Sequence, residues 1–105
     1  MTRVTIIGAG LAGATIARIL ANAGVSVDIL DARGHVAGNA YDEVQEGVRI
    51  HKYGPHLFHT SNQRVVDFLS NFTAWTPYKH RVKALLDDNR YVTLPINRET
   101  RAIVG

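Results

Sequence analysis

Residues 3–31 read RVTIIGAGLAGATIARILANAGVSVDILD, and this stretch decides the fold. Arg3-Val-Thr-Ile-Ile runs into Gly8 as a short β-rich segment of the kind that forms a buried parallel strand. From Leu11 to Ala23 the small and apolar residues Leu11, Ala14, Ala17, Ile19 and Leu20 recur at helical spacing, and Gly24 is a natural stop just past the helix end. Val25–Leu30 reads as a second strand, closed by Asp31. Strand, helix and strand in about thirty residues make a βαβ unit.

Gly8-Ala-Gly10-Leu-Ala-Gly13 fits G-x-G-x-x-G. That hexapeptide alone is a weak signal, and its context raises it: it joins a strand to a helix, and an acid, Asp31, ends the next strand 18 residues after Gly13. Each glycine has its own work there. Gly8 permits a tight turn, Gly10 lets a pyrophosphate approach the backbone, and Gly13 lets the helix pack closely on the strand. The N–H groups and dipole at the helix start stabilise an anionic diphosphate. Asp31 is placed to accept hydrogen bonds from ribose hydroxyls, and its charge disfavours a 2′-phosphate. A dinucleotide is therefore expected, although the βαβ core by itself does not separate NAD from FAD.

Bulk properties bound the rest. The 105 residues suffice for one small domain, and 46% hydrophobic content suits a folded core. The twelve Lys and Arg are scattered among nine acids, so the net charge of +3 is a solvated surface and no nucleic-acid interface is expected. The absence of cysteine excludes disulfides and thiolate metal sites. The apolar start is broken by three glycines and carries Arg18, unlike a signal peptide, and no apolar run is long enough to cross a membrane. The default location is the cytoplasm.

Beyond Asp31, Gly34, Gly38 and Asn39 mark an irregular segment. Gly47–His51 reads as a strand with Val48 and Ile50 on one face, broken by Gly54-Pro55. Asn62–Phe72 is expected to be a helix with an apolar stripe of Val65, Val66, Leu69 and Phe72, capped by Ser61 or Asn62. His80–Leu86 and Arg90–Leu94 form a hairpin turning at Asp87-Asp88-Asn89, and Asn97 opens a further helix. Trp75 and Tyr78 around Pro77 are read as a satellite core, and Arg81-Val-Lys83 as the solvated face of a strand.

Four histidines bear on function: His51, His56, His59 and His80. His56 and His59 share the loop Tyr53-Gly-Pro-His-Leu-Phe-His-Thr60, where no acid or third ligand accompanies them, so no metal site is expected. In a dinucleotide-binding chain, Ala17, Leu20, Gly24 and Val27, the acid and a following glycine pair resemble the pattern of the two-dinucleotide-binding-domain flavoproteins, with Asn39 in place of the second glycine. More specifically, Gly38-Asn-Ala-Tyr-Asp42, Ile50-His-Lys-Tyr-Gly-Pro-His-Leu-Phe-His-Thr60 and Leu94-Pro-Ile-Asn97 closely resemble the UDP-galactopyranose mutase family, which itself carries that asparagine. The resemblance spans nearly the whole chain.

It implies an α/β, Rossmann-like dinucleotide-binding unit with an additional β-hairpin and helices, part of a larger FAD-binding fold. It further implies an FAD-dependent isomerase in which the reduced flavin attacks the anomeric carbon of UDP-galactopyranose through N5, displaces UDP and returns UDP-galactofuranose without net redox change. By matching positions, Gly8, Gly10, Leu11, Ala12 and Gly13 would hold the FAD diphosphate. Asp31, with Ala32 and Arg33, would hold the adenosine ribose, and Gly38 and Asn39 would meet the cofactor from the next loop. His56 and Leu57 would lie against the flavin, His59 close to its ring as a tuning rather than nucleophilic group, and His80 would face the sugar nucleotide. Neither a membrane nor nucleic acid is implied as a partner, and a homodimer of the full-length enzyme is one assembly the family allows. Because members of the family are several times longer, the 105 residues are expected to be the N-terminal portion of the FAD-binding domain, inactive alone. Two other classes stay open: another flavin oxidoreductase, and a non-catalytic dinucleotide-binding fragment.

Overall fold

The computed structural model describes residues 2–105, which form two compact units. The first closes at His59 and the second is Thr60–Gly105.

In the first unit, β1 (Arg3–Ile7), α1 (Leu11–Asn22) and β2 (Ser26–Leu30) follow one another as the sequence implies. β1 and β2 pair in parallel, with Val4 opposite Val27 and Ile6 opposite Ile29. Parallel strands need a crossover, and α1 supplies it while lying against both strands. The helix ends at Ala23 in the manner its glycine requires. Gly24 takes φ +80°, its N–H donates to the Ala21 carbonyl, and the Val25 N–H donates to the Leu20 carbonyl. That pair of bonds is the Schellman closure, which satisfies carbonyls the last turn would leave bare. An Arg3–Asp28 ion pair at 2.7 Å spans the two strands on the exposed side.

Burial departs from the expectation of a buried strand. Val4 and Ile6 are half-buried, but Ile7 is 79% exposed and Leu30 56%. A parallel sheet hides both faces only when layers cover both, and within this unit the two-stranded sheet has a helix to cover one. Among the described residues of the first unit, Ala9 and Ala17 are the buried apolar ones.

After β2 the chain passes through a single 3-10 turn, Gly38–Ala40, into a hairpin of β3 (Asp42–Gln45) and β4 (Val48–His51). β4 was legible in the sequence and β3 was not. The connection is two residues long, Glu46 and Gly47, and both have positive φ, the type I′ geometry that matches strand twist. Just before the 3-10 turn, Ala37 sits at φ +74°, a left-handed conformation in which a β-carbon costs roughly 1–2 kcal/mol. Ala37→Gly is expected to raise stability by up to about 1 kcal/mol, the relief being partly offset by the freer unfolded chain. Urea denaturation measures it.

The second unit holds α2 (Gln63–Ser70), the hairpin of β5 (Val82–Leu85) and β6 (Tyr91–Leu94), and α3 (Arg98–Val104). Both helices are capped by asparagine: Asn62 Oδ1 accepts from the Arg64 N–H at 3.0 Å, and Asn97 Oδ1 from the Thr100 N–H at 2.9 Å. The hairpin turns at Asp87-Asp88-Asn89, as expected, within a connection of residues 86–90, with Asn89 left-handed at φ +64°. Val92 and Thr100 are buried where α3 meets β6, and the Thr100 hydroxyl donates to the Thr93 carbonyl at 2.6 Å. Two expectations fail here. Trp75 and Tyr78 are exposed rather than a satellite core, the Trp75 indole donating to Ser70 Oγ. His80 lies ahead of β5 rather than within it, beside the Tyr78 ring.

Candidate dinucleotide and histidine site

The geometry separates the three glycines into three physical roles. Gly8 has φ +101°, and nothing stands near where its β-carbon would be, so the backbone conformation alone demands glycine. At Gly13 the conformation is helical, and a β-carbon would overlap the Gly8 carbonyl oxygen and press on Ile6 Cγ2 at 3.3 Å. Close approach of α1 to β1 demands that glycine.

Gly10 answers to neither. It is the N-cap of α1 at φ −76° and ψ −174°, extended backbone open to any residue. A β-carbon there would meet Gly38 Cα at 3.9 Å, an ordinary contact. An N-cap normally gains from Ser, Thr, Asp or Asn, yet this one carries no side-chain cap. The N–H groups of Leu11, Ala12 and Gly13 open the helix, where no intrahelical acceptor exists. No acid lies in that first turn to use the positive end of the dipole.

Asp31 turns out to be part of the turn itself. Its Oδ2 accepts from the Ala9 N–H at 2.6 Å and its Oδ1 from the Arg33 N–H at 2.8 Å. Those two bonds, Ala9 first, hold its carboxyl below the ordinary carboxylate range. The Gly8 N–H donates to the Leu30 carbonyl at 2.6 Å, so the glycine turn is stitched to the end of β2 at two adjacent residues. An ionised carboxylate has about four acceptor positions, leaving capacity for hydroxyl donors.

The segment after Asp31 folds back on the turn. The Ala37 N–H donates to the Ala9 carbonyl at 2.9 Å, and a β-carbon on Gly38 would come within 3.1 Å of Gly10 Cα. Arg33 bridges this segment, donating from Nη1 to Asn39 Oδ1 at 2.8 Å while its guanidinium lies 4.4 Å from the Tyr53 ring centre. The Asn39 oxygen is thus used within the loop, and its NH₂ is what it can offer outward.

A residue that sequence reasoning passed over stands at the centre of this segment. His35 stacks on Tyr41 with ring centres 3.9 Å apart and planes 16° from parallel. Its Nδ1 is 2.7 Å from the Val36 carbonyl and its Nε2 2.6 Å from the Tyr53 hydroxyl. No spacing rule flags a histidine whose partner lies 18 residues away. Its place between Gly34 and Gly38 was the available hint.

Of the other histidines, His56 is held by its own loop: Nδ1 lies 2.8 Å from the Gly54 carbonyl, and its backbone N–H reaches His51 Nδ1 at 3.5 Å. A carbonyl can only accept, so Nδ1 carries the proton and Nε2 is the nitrogen left to face a ligand. Leu57 and His59 are exposed alongside it. His80 belongs to the second unit. Among the described residues no group of three or more His, Asp or Glu side chains converges on a point that could hold a metal ion, and no helix is long and apolar enough to cross a membrane.

Comparison with known proteins agrees with this geometry. A family model described as an NAD(P)-binding Rossmann-like domain matches residues 6–72. The chain is 46% identical over 102 residues to dTDP-fucopyranose mutase of Escherichia coli, covering 95% of this chain and 27% of that protein. It is 44% identical over 94 residues to UDP-galactopyranose mutase of Mycoplasma pneumoniae, covering 88% of this chain and 24% of that one. The chain therefore spans about a quarter of the length of the curated relatives it matches. Among solved structures, putrescine oxidase with putrescine bound superposes with a TM-score of 0.60 at 21% identity, covering 96% of this chain and 24% of that one. At that identity the likeness is one of fold.

Proposed function

Because the chain belongs to the NAD(P)-binding Rossmann-like domain family, we propose that it holds the adenosine diphosphate end of FAD within an enzyme interconverting UDP-galactopyranose and UDP-galactofuranose. The observation that carries the cofactor reading is Gly10. Neither its backbone conformation nor its neighbours require glycine, and an uncapped helix start opens beside it. A diphosphate lying against that backbone accounts for both facts.

On this reading the N–H groups of Leu11, Ala12 and Gly13 bind the diphosphate oxygens. Asp31 keeps its charge while fastened to Ala9 and Arg33, and accepts from the ribose hydroxyls with its remaining positions. Ala32 and Arg33 flank the ribose, and Gly38 and the Asn39 NH₂ meet the cofactor from the returning loop. When bound in its reduced form, FAD supplies the nucleophilic chemistry at the anomeric carbon. His56 and Leu57 lie against the flavin with His56 Nε2 turned to it, and His59 sits nearby to donate or accept a hydrogen bond at the ring. His80 contributes to the sugar nucleotide. We propose further that the mutase acts in the cytoplasm and that its galactofuranose supplies cell-wall or surface polysaccharide.

A second reading has its own support. The 46% identical relative is a dTDP-fucopyranose mutase, so a dTDP-6-deoxyhexose is the competing substrate. One experiment tests both. The protein is titrated with FAD and with NADPH by quenching of their fluorescence, then reduced with dithionite and offered UDP-galactofuranose or dTDP-fucofuranose. Saturable FAD binding that NADPH does not displace is expected, with turnover of the UDP sugar by the full-length protein and none by the 105 residues alone. Preference for NADPH would overturn the cofactor reading, and turnover confined to the dTDP sugar would transfer the substrate assignment.

A further inference from the structure

We infer that His35 and Tyr53 are a positioning pair that locks the loop carrying Gly38 and Asn39 to the loop carrying His56 and Leu57, an inference that rests on the cofactor reading above. Both residues lie in the first unit. His35 is half-buried in a stretch where residues 31–34 are all exposed. The Val36 carbonyl fixes the proton on Nδ1, so in the neutral ring Nε2 accepts the Tyr53 hydroxyl proton across 2.6 Å. Tyr41 closes one face of the imidazole. The ring is thus held by its own loop, by the residue that follows the 3-10 turn, and by the end of the β3–β4 hairpin region.

Each side of this pair leads directly to a proposed cofactor contact. Two residues past His35, the Ala37 N–H bonds to the Ala9 carbonyl, and Gly38 then packs on Gly10. Tyr53 precedes Gly54, whose carbonyl orients His56. Tyr53 also supports Arg33 on its ring face, and Arg33 holds the Asn39 side chain. Removing the Tyr53 hydroxyl would cut its hydrogen bond to His35 while leaving the ring, and its contact with Arg33, in place. Neither His35 nor Tyr53 needs to touch the cofactor: both act by setting where Asn39 and His56 stand.

Tyr53→Phe in the full chain, purified as it occurs in its host, tests this. FAD affinity is measured by flavin fluorescence, the environment of the bound flavin by its visible absorption, and apoprotein stability by thermal melting. About a tenfold rise in Kd is expected, equivalent to about 1.4 kcal/mol, with the bound flavin spectrum moving toward that of free flavin and the apoprotein melting close to wild type. His35→Gln, whose amide oxygen can take the Nε2 position as acceptor, should keep the bound spectrum nearer to wild type than His35→Ala does. Wild-type affinity and spectrum in Tyr53→Phe would overturn the pairing. So would a fall in melting with an unchanged bound spectrum, since that is what a purely structural contact gives. A wild-type chain that takes up no FAD overturns the cofactor reading together with the pair, and shows itself before any variant is made.

Discussion

Gly13→Ala should abolish dinucleotide binding and destabilise the first unit by about 3 kcal/mol, at the upper end of what overpacking by one methyl costs. The added carbon has nowhere to go. It would fall on the Gly8 carbonyl oxygen, which is backbone of a residue whose own N–H is bonded to the Leu30 carbonyl, and beside it Ile6 Cγ2 closes the remaining space at 3.3 Å. Relief requires α1 to move off β1, and that motion carries the N–H groups of Leu11 and Ala12 away from the position Gly10 leaves open. Gly24→Ala is the instructive control. It too introduces one methyl, at φ +80° but with nothing within 4 Å, so it should cost only the left-handed strain of about 1 kcal/mol and leave binding intact. Urea denaturation and FAD titration of the two variants separate a clash from a strain. Equal losses in both would show that helix packing is not what Gly13 provides.

Asp31→Ala should weaken FAD binding at least a hundredfold, because the substitution removes the proposed acceptor for the ribose and unfastens the turn at the same time. The Ala9 N–H belongs to a buried residue and has the Asp31 carboxylate as its partner. Asp31→Asn keeps one acceptor oxygen and should retain more affinity than Ala, the order Asp, Asn, Ala being the signature of the dual role. The same bonds make the turn acid-sensitive. The Asp31 carboxyl is lowered in the folded chain relative to its ordinary 3.8, chiefly by the Ala9 N–H and next by that of Arg33. Its contribution is therefore complete above pH 3.8 and drains away as pH falls through the lower, folded value. The acid limb of a pH–stability curve should be less steep in Asp31→Asn than in wild type. An unchanged limb would mean that the two backbone bonds are not made in solution.

The βαβ unit was legible because its signals are local. Gly8, Gly13, Gly24 and Asp31 each act within a turn or two of their own position, and element boundaries fall within a residue or two of those expected. The start of α2 was readable to within a residue, as Ser61 or Asn62, and that of α3 at Asn97, for the same reason. β3 was not. Its Asp42-Glu43-Val44-Gln45 is poor in β-formers, and what holds it is register with β4, an Arg49–Asp42 ion pair at 2.5 Å and a Glu46-Gly47 turn that lacks the usual Asn-Gly or Asp-Gly signal. In the site, the glycines and the acid could be assigned roles from spacing. That Asp31 also bonds the turn, and that His35 joins Tyr41 and Tyr53, depends on three-dimensional return of the chain, which no single-sequence pattern encodes. The apolar stripe expected over Asn62–Phe72 shows the opposite case: Val66 and Leu69 are half-buried, but Val65 is exposed and α2 ends at Ser70, short of the exposed Phe72, because amphipathicity announces a face and not what covers it.

Among the described residues only Ala9, Ala17, Val92 and Thr100 are buried. With so thin an interior, occupancy becomes a thermodynamic component of the molecule. Small domains have roughly 5–15 kcal/mol in all, and a ligand present at a hundred times its Kd adds about 2.7 kcal/mol by mass action alone. The melting temperature of these 105 residues should therefore rise with dinucleotide concentration, by an increment that depends on the ligand and on no single residue.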